Sequence, residues 1–273
     1  MVNEVNEELL AAVERVVRAV VAEEVTPRWR QLAAEDVIEK NGPYDLVTTA
    51  DRRAEERLTE ELTALLPGSV VVGEEAVSAD AGVLKRLDGD EPVWVVDPVD
   101  GTSNFVRGED GYATLVTLVQ GGEPLASWTY VPERGLMATA RRGAGAHLNG
   151  KPMRTAAAPD GVLRVSISNP VFRSEDEQLL IRRLEAGGAV TRSCTCAGIE
   201  YLELARGGVD GVAFFWELPW DHAAGLLLVT EAGGASLTSA GGPFRIPGGN
   251  ALPFSIARDA ATARRILDLM GAS

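Results

Sequence analysis

An apolar run that ends in two closely spaced carboxylates is the feature that most constrains how this chain can fold. Val93–Val96 contains no polar side chain, so it predicts a β-strand that is buried. Pro98 comes soon after it, and we expect the strand to stop at Asp97 because proline has a fixed φ angle and no N–H group. Asp97 and Asp100 would therefore leave the end of a rigid, buried strand.

Helical and strand-like patterns share the rest of the chain and indicate an α+β or layered αβ architecture. The helical patterns cover residues 4–35, 51–66, 174–185, 197–206, 223–232 and 258–270, the last with Asp259 as its cap. The strand patterns cover residues 70–73, 93–96, 112–131 with a turn at 120–122, 136–148, 163–168 and 212–216. Asn-Gly-Pro predicts a turn within Glu39–Tyr44. After Lys151 the pattern changes from consecutive strands to strands that alternate with helices. We therefore divide one compact unit into two halves, 1–155 and 156–273.

Charge and cysteine content exclude several classes of function. The chain has 26 basic and 40 acidic residues, a net charge of −14, which argues against nucleic acid or an anionic membrane as a partner. Acidic residues near the N-terminus, with no uncharged apolar run long enough to span a bilayer, predict neither a signal peptide nor a membrane span, and so a cytoplasmic protein. Cys194 and Cys196 are too few and too close for a disulfide framework or a zinc site, and we expect buried or half-buried thiols.

The residues that follow the buried strand could form a metal and phosphate site. Asp97 and Asp100 offer hard oxygen ligands for Mg²⁺, and Gly101 permits a tight turn. Thr102 and Ser103 would then begin a helix, whose unpaired N–H groups can bind an anion. The alternative is an ordinary turn with a helix cap. The spacing of the aspartates rejects the Asp-x-Asp-Gly-Thr motif of haloacid-dehalogenase-type phosphatases, and no Walker motif occurs.

Three other acidic positions lie at the ends of predicted elements. Asp51 starts a helix, Glu74 ends a short strand, and Asp221 opens an apolar helix. Each by itself is explained by helix capping or solvation. Together with Asp97 and Asp100 they would form a cluster of mutually repelling carboxylates, which divalent cations would neutralise. Bound cations would also explain how so acidic a protein could attract a phosphate.

These segments together resemble the inositol monophosphatase family over nearly the whole chain. The segments that carry the resemblance are Asp45-Leu-Val-Thr-Thr-Ala-Asp51, Gly73-Glu-Glu75, Asp97-Pro-Val-Asp-Gly-Thr-Ser-Asn-Phe105, Trp220-Asp-His-Ala-Ala-Gly225 and Glu231-Ala-Gly-Gly234. The resemblance implies a layered αβαβα sandwich, shared with fructose-1,6-bisphosphatase, and lithium-sensitive hydrolysis of phosphate monoesters with Mg²⁺. Many members are homodimers, so a homodimer is expected.

The resemblance also implies a role for each matching residue. Glu74, Asp97 and the Val99 carbonyl would hold one Mg²⁺, and Asp97, Asp100 and Asp221 a second. A third, weaker ion would use Glu74. The water that attacks phosphorus would be oriented by Asp51 and Thr102, with Glu74 also counted as catalytic. The substrate would meet Gly101, Thr102, Ser103, Asp221 and Glu217. His222 is expected to pack rather than to catalyse.

The resemblance implies a small phosphorylated metabolite as the substrate, and inositol 1-phosphate is the leading expectation. In the family a glutamate before the Trp-Asp motif contacts ring hydroxyls. In this chain fewer residues than in the family separate the corresponding glutamate, Glu217, from Asp221. This departure leaves fructose 1,6-bisphosphate, histidinol phosphate and 3′-phosphoadenosine 5′-phosphate as alternatives. Phe215 and Trp216 are expected to pack in a strand core, with a place in the lining of the substrate pocket as the alternative. The alternative to an enzyme is a non-catalytic protein that binds a phosphate ligand.

Overall fold

Two β-sheets, each with helices on both faces, form the framework of this protein. The computed structural model describes residues 5–42, 45–157 and 160–272. Within these residues the larger sheet has seven strands in the order β3-β4-β5-β6-β7-β8-β9, and the smaller has five in the order β11-β10-β12-β14-β13. A hairpin of β1 and β2 stands apart.

The strands are β1 (Val37–Gly42), β2 (Asp45–Thr48), β3 (Val70–Gly73), β4 (Val93–Asp100), β5 (Ala113–Gln120), β6 (Glu123–Val131), β7 (Leu136–Arg141), β8 (Gly145–Leu148), β9 (Lys151–Met153), β10 (Arg164–Ile167), β11 (Val190–Ser193), β12 (Gly211–Phe214), β13 (Ala235–Thr238) and β14 (Phe254–Ala257). The helices are α1 (Glu7–Val20), α2 (Thr49–Leu65), α3 (Glu74–Ala79), α4 (Thr102–Val106), α5 (Glu175–Ala186), α6 (Ala197–Ala205), α7 (Pro219–Glu231) and α8 (Ala260–Met270).

The two faces of β4 show how the layers are built. Trp94 and Val96 pack in a cluster with α1 and α2, whereas Val95 packs in a second cluster with α6 and α7. The second cluster also contains Val212 and Ile256 of the smaller sheet, so α6 and α7 lie between the sheets. A third cluster joins α5 and α8 to the far face of the smaller sheet. The result is the predicted αβαβα sandwich, in which a continuous apolar strand is buried on both sides.

The strand β4 does not stop at Asp97, contrary to the expectation from Pro98. It continues to Asp100, and its register with β5 shifts between Asp97, opposite Leu115, and Asp100, opposite Ala113. A bulge tolerates proline because the extra residue makes no ladder hydrogen bond there. The bulge therefore carries both carboxylates within one strand end.

The N-terminal helix is shorter than predicted. It ends at Val20, and a π-helical turn at Val21–Val25 and a 3₁₀ turn at Thr26–Arg28 follow it. The hairpin of β1 and β2 then occupies much of the predicted turn at 39–44, of which residues 43 and 44 lie outside the described part. Short elements that periodicity did not indicate are α3, β9, β11, β13 and β14.

The predicted division near residue 155 falls between β9 of the larger sheet and β10 of the smaller one. The assignment of 1–155 and 156–273 as two halves stays a prediction. In the described part of the chain, no helix is both long enough and apolar enough to pass through a bilayer.

Candidate active site

A cavity of about 570 Å³ opens where the end of β4 meets the starts of α4, α6 and α7. Its lining includes eight of the predicted residues: Glu74, Asp97, Val99, Asp100, Gly101, Thr102, Ser103 and Asp221. Residues that are distant in sequence, and that come from both halves of the chain, therefore face one space.

Three carboxylates come closest together in this cavity. One oxygen atom from each of Asp97, Asp100 and Asp221 lies within 4.8 Å of the others. Asp97 is 2% exposed and Asp100 is 6% exposed. Burial, together with the charges of Glu74, Asp100 and Asp221, raises the pKa of Asp97 well above its ordinary value. Burial and the charge of Asp100 raise the pKa of Asp221 to about 7.

Asp100 is held by the start of α6. The backbone N–H of Gly198 donates to its Oδ2 at 2.6 Å, and that of Ala197 donates to Oδ1 at 3.2 Å. The first N–H groups of a helix have no partner inside it, so a carboxylate is a favourable acceptor there. Burial nevertheless raises the pKa of Asp100 to about 6. The segment 194–198 thus orients a predicted metal ligand as well as lining the cavity.

Asp221 is oriented through an aromatic residue. The Trp216 indole Nε1 donates to Asp221 Oδ2 at 2.5 Å. The Trp216 carbonyl lies 3.0 Å from His222 Nε2, and Tyr201 Oη lies 2.9 Å from Nδ1. Since a carbonyl only accepts, Nε2 carries the proton and Nδ1 accepts from Tyr201. His222 is fully buried, and burial lowers its pKa to about 3, which matches the expected packing role.

Glu74 lines the same cavity but lies outside the close group of three carboxylates. Lys40 of β1 lies 3.0 Å from Glu74 Oε1 and 2.6 Å from Glu75 Oε1. Burial raises the pKa of Glu74 to about 8, although Lys40 opposes the shift. The lysine therefore neutralises part of the acidic site.

Asp51 and Thr102, the pair expected to orient the attacking water, are in contact. The Thr102 hydroxyl lies 2.9 Å from the Val99 carbonyl and 3.2 Å from Asp51 Oδ1. Asp51 is fully buried, and its Oδ2 accepts the Thr48 N–H at 2.8 Å. Burial raises its pKa to about 6. Thr102, not Asp51, reaches the cavity wall.

Gly101 has a φ angle of 91°, in the left-handed region. A Cβ atom there would lie 2.6 Å from the Gly111 carbonyl oxygen, so both the angle and the space require glycine. Its carbonyl accepts the N–H groups of Asn104 and Phe105 at 2.8 and 3.1 Å. This turn carries the chain from the carboxylates into α4.

Glu217 is placed away from the other predicted residues. It is not among the described residues that line the cavity, and its Oε2 accepts the backbone N–H of Asn250 at 2.8 Å and the side-chain Nδ2 at 2.9 Å. The short connection to Asp221 turns the carboxylate toward the 245–250 loop. The structure therefore gives no support to Glu217 as a substrate contact.

Phe215 and Trp216 were expected in a strand core, and this expectation is wrong. The strand β12 ends at Phe214, and both residues are half-buried in the cavity wall. Leu218 and Val171 join the same wall and are 45% and 54% exposed. The cavity lining thus combines acidic residues with apolar ones.

Sequence reasoning also missed Lys40 and Ser168. Lys40 lies on a strand taken for a turn, although β-branched residues flank the Asn-Gly signal there. Ser168 lines the cavity and is 3% exposed, and within the described residues its hydroxyl has no hydrogen-bond partner. A buried hydroxyl without a partner calls for one, such as a bound water or a ligand atom. No local sequence pattern indicates it.

The donor set suits a hard divalent cation such as Mg²⁺. Carboxylate and carbonyl oxygens are the ligands this ion prefers, and here the three clustered aspartates and Val99 line one cavity. Buried carboxylates this close must share protons or bind a cation, because they cannot all remain charged. The cysteines at the cavity are free, and burial raises the pKa of both thiols.

Comparison with known proteins identifies the family of this chain. The model of the inositol monophosphatase family matches residues 5–265. An inositol-1-monophosphatase of Rhizobium meliloti is 36% identical over 74% of this chain and 75% of its own length. An Aquifex aeolicus protein named fructose-1,6-bisphosphatase/inositol-1-monophosphatase is 31% identical over 77% of this chain and 78% of its own. The Thermotoga maritima IMPase structure superimposes with a TM-score of 0.80 at 24% identity, covering 97% of both chains. The chain belongs to the inositol monophosphatase family, whose members hydrolyse phosphate monoesters.

Proposed function

We propose that this phosphatase acts on the phosphate monoester of a small polyol or sugar, with inositol 1-phosphate as the leading substrate. The observation that carries the proposal is the group of Asp97, Asp100 and Asp221, with oxygen atoms within 4.8 Å, beside the Gly101 turn in one cavity. Relatives named as inositol-1-monophosphatases support the choice of substrate.

The proposed metal ligands are those of the sequence prediction: Glu74, Asp97, the Val99 carbonyl, Asp100 and Asp221. They would hold two or three Mg²⁺ ions. When bound, Mg²⁺ would lower the pKa of water and offset the charge that develops during phosphoryl transfer. Glu74 would have to exchange its contact with Lys40 for such an ion.

The chain's own groups would orient the reactants. Thr102 stands at the cavity wall with its hydroxyl fixed by Val99 and Asp51, so its oxygen can direct a water molecule toward phosphorus. The turn at Gly101, Thr102 and Ser103 would receive the phosphate. Ser168 would offer its unpaired hydroxyl to the substrate.

A second class of substrate is favoured by the apolar wall. Phe215, Trp216, Leu218 and Val171 would bury an aromatic or apolar part of a substrate better than the hydroxyls of a polyol. The absence of Glu217 from this wall removes the carboxylate that a polyol would use. An ester with a planar base, such as 3′-phosphoadenosine 5′-phosphate or histidinol phosphate, is therefore the second candidate.

Phosphate release from a panel of esters tests both candidates. The panel is inositol 1-phosphate, fructose 1,6-bisphosphate, histidinol phosphate and 3′-phosphoadenosine 5′-phosphate, with Mg²⁺ and with chelator. We expect turnover that chelation abolishes and Mg²⁺ restores. Binding of these esters by calorimetry, without release from any, would instead support a non-catalytic binding protein.

The variant Leu218→Ala separates the two candidates. It should lower kcat/KM for an ester that carries a planar base and leave that for inositol 1-phosphate unchanged. Leu179→Ala is the matched control, since Leu179 is similarly exposed but outside the cavity lining. An equal effect of Leu218→Ala on all substrates would remove the support for the second candidate.

Lithium inhibition and a homodimer are proposed on the family relationship. Activity in lithium chloride and analytical ultracentrifugation would check them. The cytoplasmic location is proposed on the acidic N-terminal segment, and fractionation of cells would check it.

A further inference from the structure

We infer that Glu55 is a positioning residue that sets the place of Glu74 and, through it, the Mg²⁺ affinity of the site. The inference rests on the proposed function, since it presumes that Glu74 binds Mg²⁺. Glu55 lies on α2, one helical turn after Asp51, and is 6% exposed. It is neither a predicted metal ligand nor part of the cavity lining among the described residues.

The Glu55 carboxylate caps the start of α3 from a different helix. Oε2 accepts the backbone N–H of Glu75 at 2.8 Å, and Oε1 accepts that of Ala76 at 2.7 Å. The N-cap residue of α3 is Gly73, which has no side chain to bind these N–H groups. Both carboxylate oxygens are thus used to fasten the helix whose first residue is Glu74.

Close packing at Gly73 makes the attachment rigid. A Cβ atom there would lie 2.3 Å from Glu55 Cδ and 2.5 Å from each carboxylate oxygen. The chain therefore passes directly over the Glu55 carboxylate, immediately before Glu74. A displaced carboxylate would therefore release the two N–H groups next to the predicted ligand.

The helix α2 consequently connects two parts of the site. Asp51 contacts Thr102, and Glu55, four residues later on the same face, contacts the start of α3. One rigid element thus determines how far Glu74 lies from the groups that orient water. Partners that hold metal ligands commonly change metal affinity by about 10–100-fold when they are removed.

The variant Glu55→Gln tests the inference. An amide keeps one acceptor oxygen but turns an NH₂ group toward a backbone N–H, so one of the two hydrogen bonds is lost. We expect a rise of about tenfold in the Kd for Mg²⁺, measured by isothermal titration calorimetry. The KM for inositol 1-phosphate at saturating Mg²⁺ should stay unchanged, because Glu55 does not line the cavity.

Glu56→Gln is the matched control, since Glu56 is the next residue on α2 and is exposed. It removes the same charge and should leave the Kd for Mg²⁺ as in the unchanged protein. An equal rise in both variants would mean that net charge, not position, sets the affinity, and would overturn the inference. A merely structural role for Glu55 would lower the Tm in chelator without changing the Kd of the folded protein.

Gly73→Ala and Glu55→Asp also disturb the contact between the Glu55 carboxylate and the start of α3. The alanine Cβ would push the Glu55 carboxylate off the two N–H groups, and aspartate keeps the charge but is one methylene shorter. Each variant that is folded by circular dichroism should bind Mg²⁺ more weakly. Unchanged Mg²⁺ binding by any folded variant of Glu55 or Gly73 overturns the inference, and failure of all of them to fold would assign Glu55 to stability instead. Lack of Mg²⁺ binding by the unchanged protein would sink the proposed function itself.

Discussion

The Asp51 side chain both caps a helix and contacts a residue of the candidate active site. Its Oδ2 accepts the Thr48 N–H in a capping box, which is the ordinary explanation for an acid at a helix start. Its Oδ1 meanwhile accepts from Thr102 at the cavity wall. The cap holds Asp51 in one rotamer, and this fixed position is what would let it orient Thr102.

Asp97→Asn tests the residue at the centre of the acidic cluster. The change removes a charge that burial and four neighbouring carboxylates already disfavour, so the protein should remain folded in chelator. With Mg²⁺, phosphate release should fall about a thousandfold, since a metal site contributes several kcal/mol to the transition state. Asp88→Asn, at an exposed position, is the control. Wild-type turnover by Asp97→Asn would show that the metal assignment is wrong.

Thr102→Ala tests the water-orienting pair separately from metal binding. It removes the hydroxyl that contacts Val99 and Asp51, and we expect kcat to fall about a hundredfold, as for other positioned proton-transfer groups. The Kd for Mg²⁺ should not change. Thr102→Ser restores the hydroxyl and should recover most of the rate; if serine were as slow as alanine, the role of the hydroxyl would be refuted.

At the scale of secondary-structure elements, the starts of helices hold the acidic groups in place. The start of α6 binds Asp100, and the first turn of α7 carries Asp221. Glycine lets α6 approach this closely, since a Cβ at Gly198 would lie 3.0 Å from Asp100 Oδ2 and 2.5 Å from Leu115 Cδ2. A side chain at this position would therefore force the Leu115 methyl group to shift and would crowd the Asp100 carboxylate at the bulged end of β4.

Gly198→Ala should separate α6 from Asp100. We expect a loss of about 1–3 kcal/mol in the free energy of unfolding, typical of an overpacked core, and weaker Mg²⁺ binding. Denaturant unfolding and Mg²⁺ calorimetry would measure the two effects. Gly242→Ala is the control, because a Cβ there has open space and the φ angle is ordinary. Stability and Mg²⁺ binding equal to those of the control would contradict the close docking described here.

For the whole molecule, the acidic site makes stability depend on pH. In the folded state the pKa of Glu74 is about 8 and that of Asp221 about 7, above the ordinary 4.5 and 3.8. The folded protein therefore keeps protons that the unfolded chain has released, and this stability is lost as pH rises through 7 and 8. Below pH 6.5 the opposite effect begins, because His222 stays neutral when folded and gains a proton when unfolded.

Thermal melts between pH 6.5 and 8 test this balance. In chelator the Tm should fall as pH rises across this window. Excess Mg²⁺ should raise the Tm, by an amount equivalent to about 2.7 kcal/mol at a hundredfold excess over Kd, and more at pH 8 than at pH 6.5 because bound carboxylates must be deprotonated. A Tm that changes with neither pH nor Mg²⁺ would mean that these carboxylates serve only as helix caps.

Much of the architecture could be predicted because it depends on neighbours in the chain. The strands β3 and β4 followed from unbroken apolar runs, the cap at Asp259 from its place before α8, and the turn from a glycine at position 101. The hairpin of β1 and β2 had a local signal in Asn-Gly between β-branched residues, but the contact of Lys40 with Glu74 had none, because these two residues lie far apart along the chain.

The amino-acid sequence alone determined which carboxylates exist, which of them follow a buried strand and where the chain can turn sharply, since these properties depend on side-chain chemistry and on local backbone angles. Only the tertiary structure decided that Asp97 and Asp221 meet, that Glu217 turns toward Asn250 and that Glu55 fastens the start of α3. Distances between residues so far apart in sequence are set by how two sheets and their helices pack, and no short segment of the chain contains that information.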